Sequence, residues 1–140
     1  MPDRRLARVL GRWFVICAVA LISGSFVPYV WKVQWGLHGR QHFRAHVIVF
    51  MLLGLMAFLS VHTLQSRLRR TVGLGLLALT IEILQSLWFG NRFEWPDIQA
   101  DIIGALFTLT IVQLLSFWTE YLKGKAINRE NAAIAKGRKT

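Results

Sequence analysis

The sequence predicts an all-α, multi-pass membrane protein with four transmembrane helices and both termini in the cytoplasm. Of its 140 residues, 54% are apolar and only 17% are charged, and the mean hydropathy is positive. A chain of this composition is too apolar for an ordinary soluble domain. The net charge of +10 would suit nucleic acid if it formed one face of a soluble fold. The basic residues instead cluster between long apolar runs, so we predict no nucleic-acid partner.

Four runs approach the ~20 apolar residues that cross a bilayer. They span residues 13–31, 45–63, 72–89 and 98–118. The first run follows a basic stretch, as the apolar part of a secretory signal does. It continues to Val27 without a clear small-residue cleavage site, so we expect it to be retained as the first helix.

The basic residues predict the orientation of these helices. Of the 17 Lys and Arg residues, 13 lie before the first run, between the second and third, or after the fourth. Because cytoplasmic segments carry the excess of Lys and Arg, both termini should be cytoplasmic. The chain then divides into a basic N-terminus (1–12), a transmembrane domain (13–119) and a basic, mobile cytoplasmic tail (120–140).

Polar side chains from the second, third and fourth predicted helices fall at a similar depth, in the outer leaflet. They are His42, His46, Glu82, Gln85, Asp97 and Asp101. At 1.5 Å per residue, Glu82 lies about 10 Å below the outer end of its helix and Asp101 roughly 6 Å below the start of its own. An ionised carboxylate facing lipid costs several kcal/mol, so Glu82 and Asp101 should turn inward, take a partner or be protonated.

The same three helices each carry a face of small or polar residues at steps of three and four. The faces are His42, His46, Phe50, Gly54 and Ala57; Thr71, Gly75, Ala78, Glu82 and Gln85; and Asp97, Asp101, Gly104 and Thr108. Small residues let membrane helices approach closely, so we expect the three faces to be buried against one another.

These motifs resemble those of the VanZ-like membrane proteins, first associated with resistance to glycopeptide antibiotics. The matching segments are HVIVFMLLG, with His46, Phe50 and Gly54; EILQ, with Glu82 and Gln85; and NRFEWPDIQADIIG, with Arg92, Asp97 and Gly104. The resemblance covers roughly residues 42 to 107, and Asp101 stands where the family usually has asparagine. It implies a protein of the cell envelope, in the bacterial inner membrane.

The leading hypothesis is that the chain binds or processes a lipid or lipid-linked intermediate at its outer face. The expected ligand-binding residues are His46, Glu82, Gln85, Arg92, Asp97 and Asp101. Among them His46, Glu82 and Asp97 are the candidates for catalysis, although the pattern leaves open whether any reaction occurs. The planar guanidinium of Arg92 suits a phosphate or carboxylate, which favours a lipid with an anionic headgroup.

A small transporter is the least favoured alternative, because the inner halves of the second and third helices offer little polar lining for a path. Two other interpretations of the polar residues stay open from the sequence. The polar residues could be a packing network that fixes the order of the helices in a non-catalytic scaffold, with Asp97 capping the fourth helix. His42 and His46 could instead join Asp97 and Asp101 around a divalent metal, with Glu82 as a base. These pairs form no compact metal motif and His42 lies outside the family pattern, so the sequence predicts no metal and no cofactor.

Overall fold

The computed structural model describes residues 4–25, 31, 34, 36, 40–89 and 93–137. They contain four long helices: α1 (Arg4–Ser25), α2 (Arg40–Leu59), α3 (Leu64–Phe89) and α4 (Trp95–Gly137). Within this described part, all four are long and apolar enough to cross a membrane. The predicted all-α architecture is confirmed, and the chain is a multi-pass membrane protein. The side of the membrane that each terminus faces stays a prediction.

Each helix begins before the apolar run that predicted it, and α2 ends at Leu59 rather than at the predicted residue 63. Backbone hydrogen bonding continues through polar residues, whereas an apolar run marks only the part of a helix suited to lipid. At the start of α3, the Thr63 Oγ1 atom accepts a hydrogen bond from the Ser66 N–H at 3.1 Å, which caps the helix well before residue 72. At the other extreme, α4 continues through most of the segment predicted as a separate tail, and is helical as far as Gly137.

Helices α2 and α4 pack closely along the faces predicted for them. A Cβ atom added at Gly104 would overlap the Val47 carbonyl oxygen and lie 3.1 Å from the Met51 nitrogen. One turn further, the Thr108 hydroxyl donates to the Met51 carbonyl at 3.1 Å. Without a side chain at Gly104 the two backbones meet directly, as in other small-residue contacts between membrane helices.

The apolar core lies where α2, α3 and α4 meet. Its largest fully buried side chains are Phe50, Leu53, Phe58 and Leu74. Helix α1 is peripheral: Phe14, Cys17, Ala18 and Leu21 pack against the core while only partly buried. In a membrane, an apolar side chain gains little free energy by moving from lipid into the space between helices. Close packing of the side chains and polar contacts between the helices must therefore select this arrangement.

The predicted face of α3 is buried only towards its C-terminal end. Ala78, Glu82 and Gln85 are buried. Gly75 differs from the prediction, because no heavy atom of the described neighbouring residues lies within 4 Å of the position that its Cβ would take. The spacing identified the correct face but not the distance to the neighbouring helix.

Two arginines predicted to lie in the loop before the third helix belong to α3 and hold its first turns in place. Arg67 is buried, and its Nη1 atom donates to the Gln113 Oε1 atom of α4 at 2.8 Å. Arg70 donates to the Ala57 carbonyl at 2.9 Å and to the Ser60 hydroxyl at 2.5 Å. These contacts satisfy a carbonyl at the end of α2 and join α3 to both of its neighbours.

Candidate functional site

Five ionisable side chains from three helices form one polar cluster. They are His42 and His46 on α2, Glu82 on α3, and Asp97 and Asp101 on α4. The first turns of α2 and α4 lie beside the last turns of α3, because α2 and α4 are parallel and α3 runs against them. The inward orientation expected for Glu82 and Asp101 is confirmed, since both are buried.

Two matching hydrogen bonds join α2 to α4. The His42 Nε2 donates to the Asp97 Oδ2 at 2.9 Å, and the His46 Nδ1 donates to the Asp101 Oδ1 at 2.9 Å. Both pairs are separated by 55 residues in the chain. One turn of α2 is therefore matched by one turn of α4, and the two helices stay in register through the cluster.

Asp97 lies between the two imidazoles. In addition to its bond with His42, its Oδ2 atom lies 3.7 Å from the Nε2 atom of His46. The two rings meet edge to face with centroids 4.5 Å apart. Because α4 begins at Trp95, Asp97 is in its first turn rather than at the capping position considered from the sequence. Its carboxylate still lies near the positive end of the helix dipole.

Glu82 connects α3 to the segment that leads into α4. Its Oε1 atom accepts a hydrogen bond from the Glu94 backbone N–H at 2.6 Å. The carboxylate is also close enough to Asp97 and His46 to interact with both electrostatically. Glu82 of α3 thus fixes the position of the start of α4 and brings a third carboxylate to the cluster.

The other predicted ligand-binding residues have different positions. Gln85 is buried one turn from Glu82, on the same side of α3. Arg92 lies outside the described residues, so its part in the site stays a prediction. Arg40 and Arg44, at the start of α2, are exposed, as expected for solvated interfacial side chains.

The cluster is open on its histidine side and closed on its aspartate side. The side chains of His42 and His46 are 22% and 19% exposed, against 9% for Asp97 and 5% for Asp101. A ligand therefore has access to the imidazoles, while the carboxylates behind them are shielded. Such a site can accept or donate protons and can bind a cation, but three carboxylates repel an anion unless positive charge is supplied.

His42 is the member of the cluster that the sequence-based ligand set omitted. The sequence places it on the polar face of the second helix and as a possible metal ligand, but it lies outside the VanZ-like pattern from which the ligand set was taken. The sequence signal for His42 is that two pairs of residues have the same spacing. His42 and His46 are four residues apart, and so are Asp97 and Asp101. Two such pairs can meet only if their helices are parallel neighbours in a matching register, and the sequence predicted the parallel course but not the register.

The fold and the site define a multi-pass helical membrane protein with a buried, partly accessible cluster of histidines and carboxylates at one end of its helices. No protein-family model, curated protein or solved structure matches this chain. The resemblance to VanZ-like proteins is therefore carried by its sequence motifs alone.

Proposed function

We propose that the chain is a VanZ-like protein of the bacterial inner membrane that binds or processes a lipid or lipid-linked intermediate at the outer face. The family resemblance connects that activity with glycopeptide resistance. The observation that carries the proposal is the polar cluster, in which five ionisable side chains meet among helices that otherwise face lipid. Such groups are costly in a membrane, and serine, threonine and glycine suffice to order helices.

An apolar groove next to the cluster supports a lipid as the ligand. The groove has a volume of about 290 Å³ and lies between α1 and α2. Its lining includes Cys17, Leu21, Val49, Leu53 and Met56. Val49 follows His46 by three residues, so the groove begins about one turn deeper than the cluster. A lipid could place its headgroup at the histidines and an acyl chain along the groove.

A non-catalytic scaffold is the second candidate, and the hydrogen-bond pattern favours it. Both His–Asp bonds connect the same two helices, α2 and α4, and both fix the same register. A pair of such bonds is what a purely structural clamp between parallel helices needs. The two candidates make opposite predictions for a substitution that conserves hydrogen bonding but removes charge.

Glu82→Gln is that substitution. The amide oxygen can still accept the hydrogen bond from the Glu94 N–H, so a scaffold should remain stable and functional. If the cluster acts on a headgroup, the variant should lose co-purified lipid and glycopeptide tolerance while unfolding at the same temperature as the parent. Native mass spectrometry of the detergent-solubilised protein measures the lipid. Glu120→Gln is the matched control, because Glu120 is exposed on α4, with 74% of its side chain accessible.

Arg92→Lys tests the anionic headgroup separately. Lysine keeps the positive charge but loses the planar fork that binds phosphate or carboxylate through two hydrogen bonds. We expect reduced lipid retention in this variant and unchanged membrane insertion. Parental lipid retention and parental glycopeptide tolerance in both Glu82→Gln and Arg92→Lys would exclude the proposal and leave the scaffold.

A further inference from the structure

We infer that His42, His46 and Asp97 form a binding site for a first-row divalent metal ion, with Zn²⁺ as the best match to their donor atoms. One ligand atom from each of the three lies within 4.8 Å of the others. Two imidazole nitrogens and a carboxylate oxygen are the donors of many sites where zinc keeps its fourth position open.

The distances fit an ion with little movement of the side chains. Tetrahedral Zn²⁺, with bonds of about 2.0–2.1 Å, holds its ligand atoms roughly 3.3 Å apart. The Asp97 Oδ2 lies 2.9 Å from the His42 Nε2 and 3.7 Å from the His46 Nε2, on either side of that value. The three ligand atoms all lie within 4.8 Å of one another, so side-chain rotations that move each atom by less than about 1 Å bring them to the spacing that Zn²⁺ requires. The ion replaces the proton now shared by His42 and Asp97.

Asp101 orients one of these ligands. The His46 Nδ1–H donates to the Asp101 Oδ1 at 2.9 Å, which fixes the tautomer and directs Nε2 towards Asp97. A histidine ligand that donates its other ring N–H to a carboxylate is the usual second layer of a metal site. The buried Asp101 therefore has a role that packing alone does not require.

The metal ion also offsets the negative charge of the cluster, which opposes the binding of an anionic headgroup in the proposed function. Glu82, Asp97 and Asp101 bring three carboxylates together, and these repel a phosphate. A divalent ion at the partly exposed histidines supplies the missing positive charge, and its open position can take a phosphate oxygen from a lipid headgroup. The headgroup contact rests on the proposed function, whereas the metal site does not.

The test uses the full-length protein, purified in detergent without a chelator. Elemental analysis should find about one zinc per chain. After chelator treatment, titration with Co²⁺ should give the visible absorption of a four-coordinate site that saturates near one equivalent. His42→Ala should abolish that absorption, and Asp101→Asn should weaken Co²⁺ binding about 10- to 100-fold. His62→Ala, at an exposed position in the connection between α2 and α3, should bind Co²⁺ like the parent.

The parent titration decides the inference even if a variant does not fold. No saturable Co²⁺ binding by the parent, or an absorption that persists unchanged in a folded His42→Ala protein, would overturn the metal site. Lipid retention is measured on metal-loaded and metal-free parent protein. Retained lipid without metal binding would sustain the proposed function alone, and metal binding without retained lipid would sustain the metal site alone.

Discussion

Gly104 shows how one residue sets the spacing between α2 and α4. The missing Cβ would meet the Val47 carbonyl oxygen and the Met51 nitrogen, which are backbone atoms that cannot rotate away. Gly104→Ala should therefore force the helices apart and lower the stability by about 1–3 kcal/mol, in the range of overpacking substitutions. The unfolding temperature in detergent measures this loss.

Gly75→Ala is the matched control for that prediction, because no described atom lies within 4 Å of the added carbon. The unfolding temperature should stay the same or rise, since alanine favours the helical backbone more than glycine does. Equal effects of the two substitutions would contradict the close approach at Gly104. The wider spacing between α2 and α4 should also disturb the nearby His46–Asp101 pair, so Gly104→Ala should weaken metal binding and Gly75→Ala should not.

Single residues also show how far the sequence could predict the site. The cost of a charge in lipid predicted that Glu82 and Asp101 turn inward. The rise of 1.5 Å per residue, together with the topology, placed them at a similar depth to His46. The predicted topology makes α2 and α4 parallel but does not give their register, so the particular partners could not be predicted. His42 was omitted from the ligand set because it lies outside the VanZ-like pattern. Its hydrogen bond to Asp97 can be recognised only once the register of the two helices is known.

Between elements, the contact of Arg67 with Gln113 ties the start of α3 to the middle of α4. Gln113→Leu should destabilise the protein by about 1–3 kcal/mol, because it removes the described hydrogen-bond partner of a buried guanidinium. The double variant Arg67→Met/Gln113→Leu should recover much of that loss, since replacing both polar partners leaves no buried charge. Unfolding temperatures of the four proteins in this cycle give the coupling.

Arg69→Met provides the comparison for an arginine on the same helix that is exposed. It should change the unfolding temperature little. A double variant less stable than Gln113→Leu would show that Arg67 is stabilised by something other than Gln113.

The contact between Arg67 and Gln113 could not be predicted from the sequence, because Lys and Arg residues near the end of a predicted membrane helix are taken as evidence of its orientation. The polar Gln113 within an apolar helix was the only hint of a partner.

For the whole molecule, the distribution of basic residues predicts that both termini face the cytoplasm. Reporter fusions at Gln65 and Thr140 should be active only inside the cell, and a fusion at Asn91 only outside. The antiparallel course of α3 between α2 and α4 agrees with alternating sides for these positions. An externally active reporter at Thr140 would reverse the topology and place the polar cluster in the inner leaflet.

The fold class was the most predictable property at this scale, because the length of an apolar run is a direct consequence of bilayer thickness. The ends of the helices were less predictable. Lipid selects for apolar residues only across its own thickness, so a helix that continues into water leaves no apolar signal there. The C-terminal part of α4 is such a continuation, and its exposed residues gave no reason to expect a regular structure.

The length of α4 makes its C-terminal part a helical arm. Its 43 residues rise about 64 Å, roughly twice the ~30 Å core of a bilayer. If the helix leaves the lipid near Trp118, Lys123 stands about 8 Å beyond that point and Arg129 about 16 Å beyond it. Electrostatic attraction in physiological salt decays over about 8 Å, so most of the arm's charge lies out of range of the lipid surface. With that exit point, the basic residues that follow Lys123 on the arm extend into the aqueous phase.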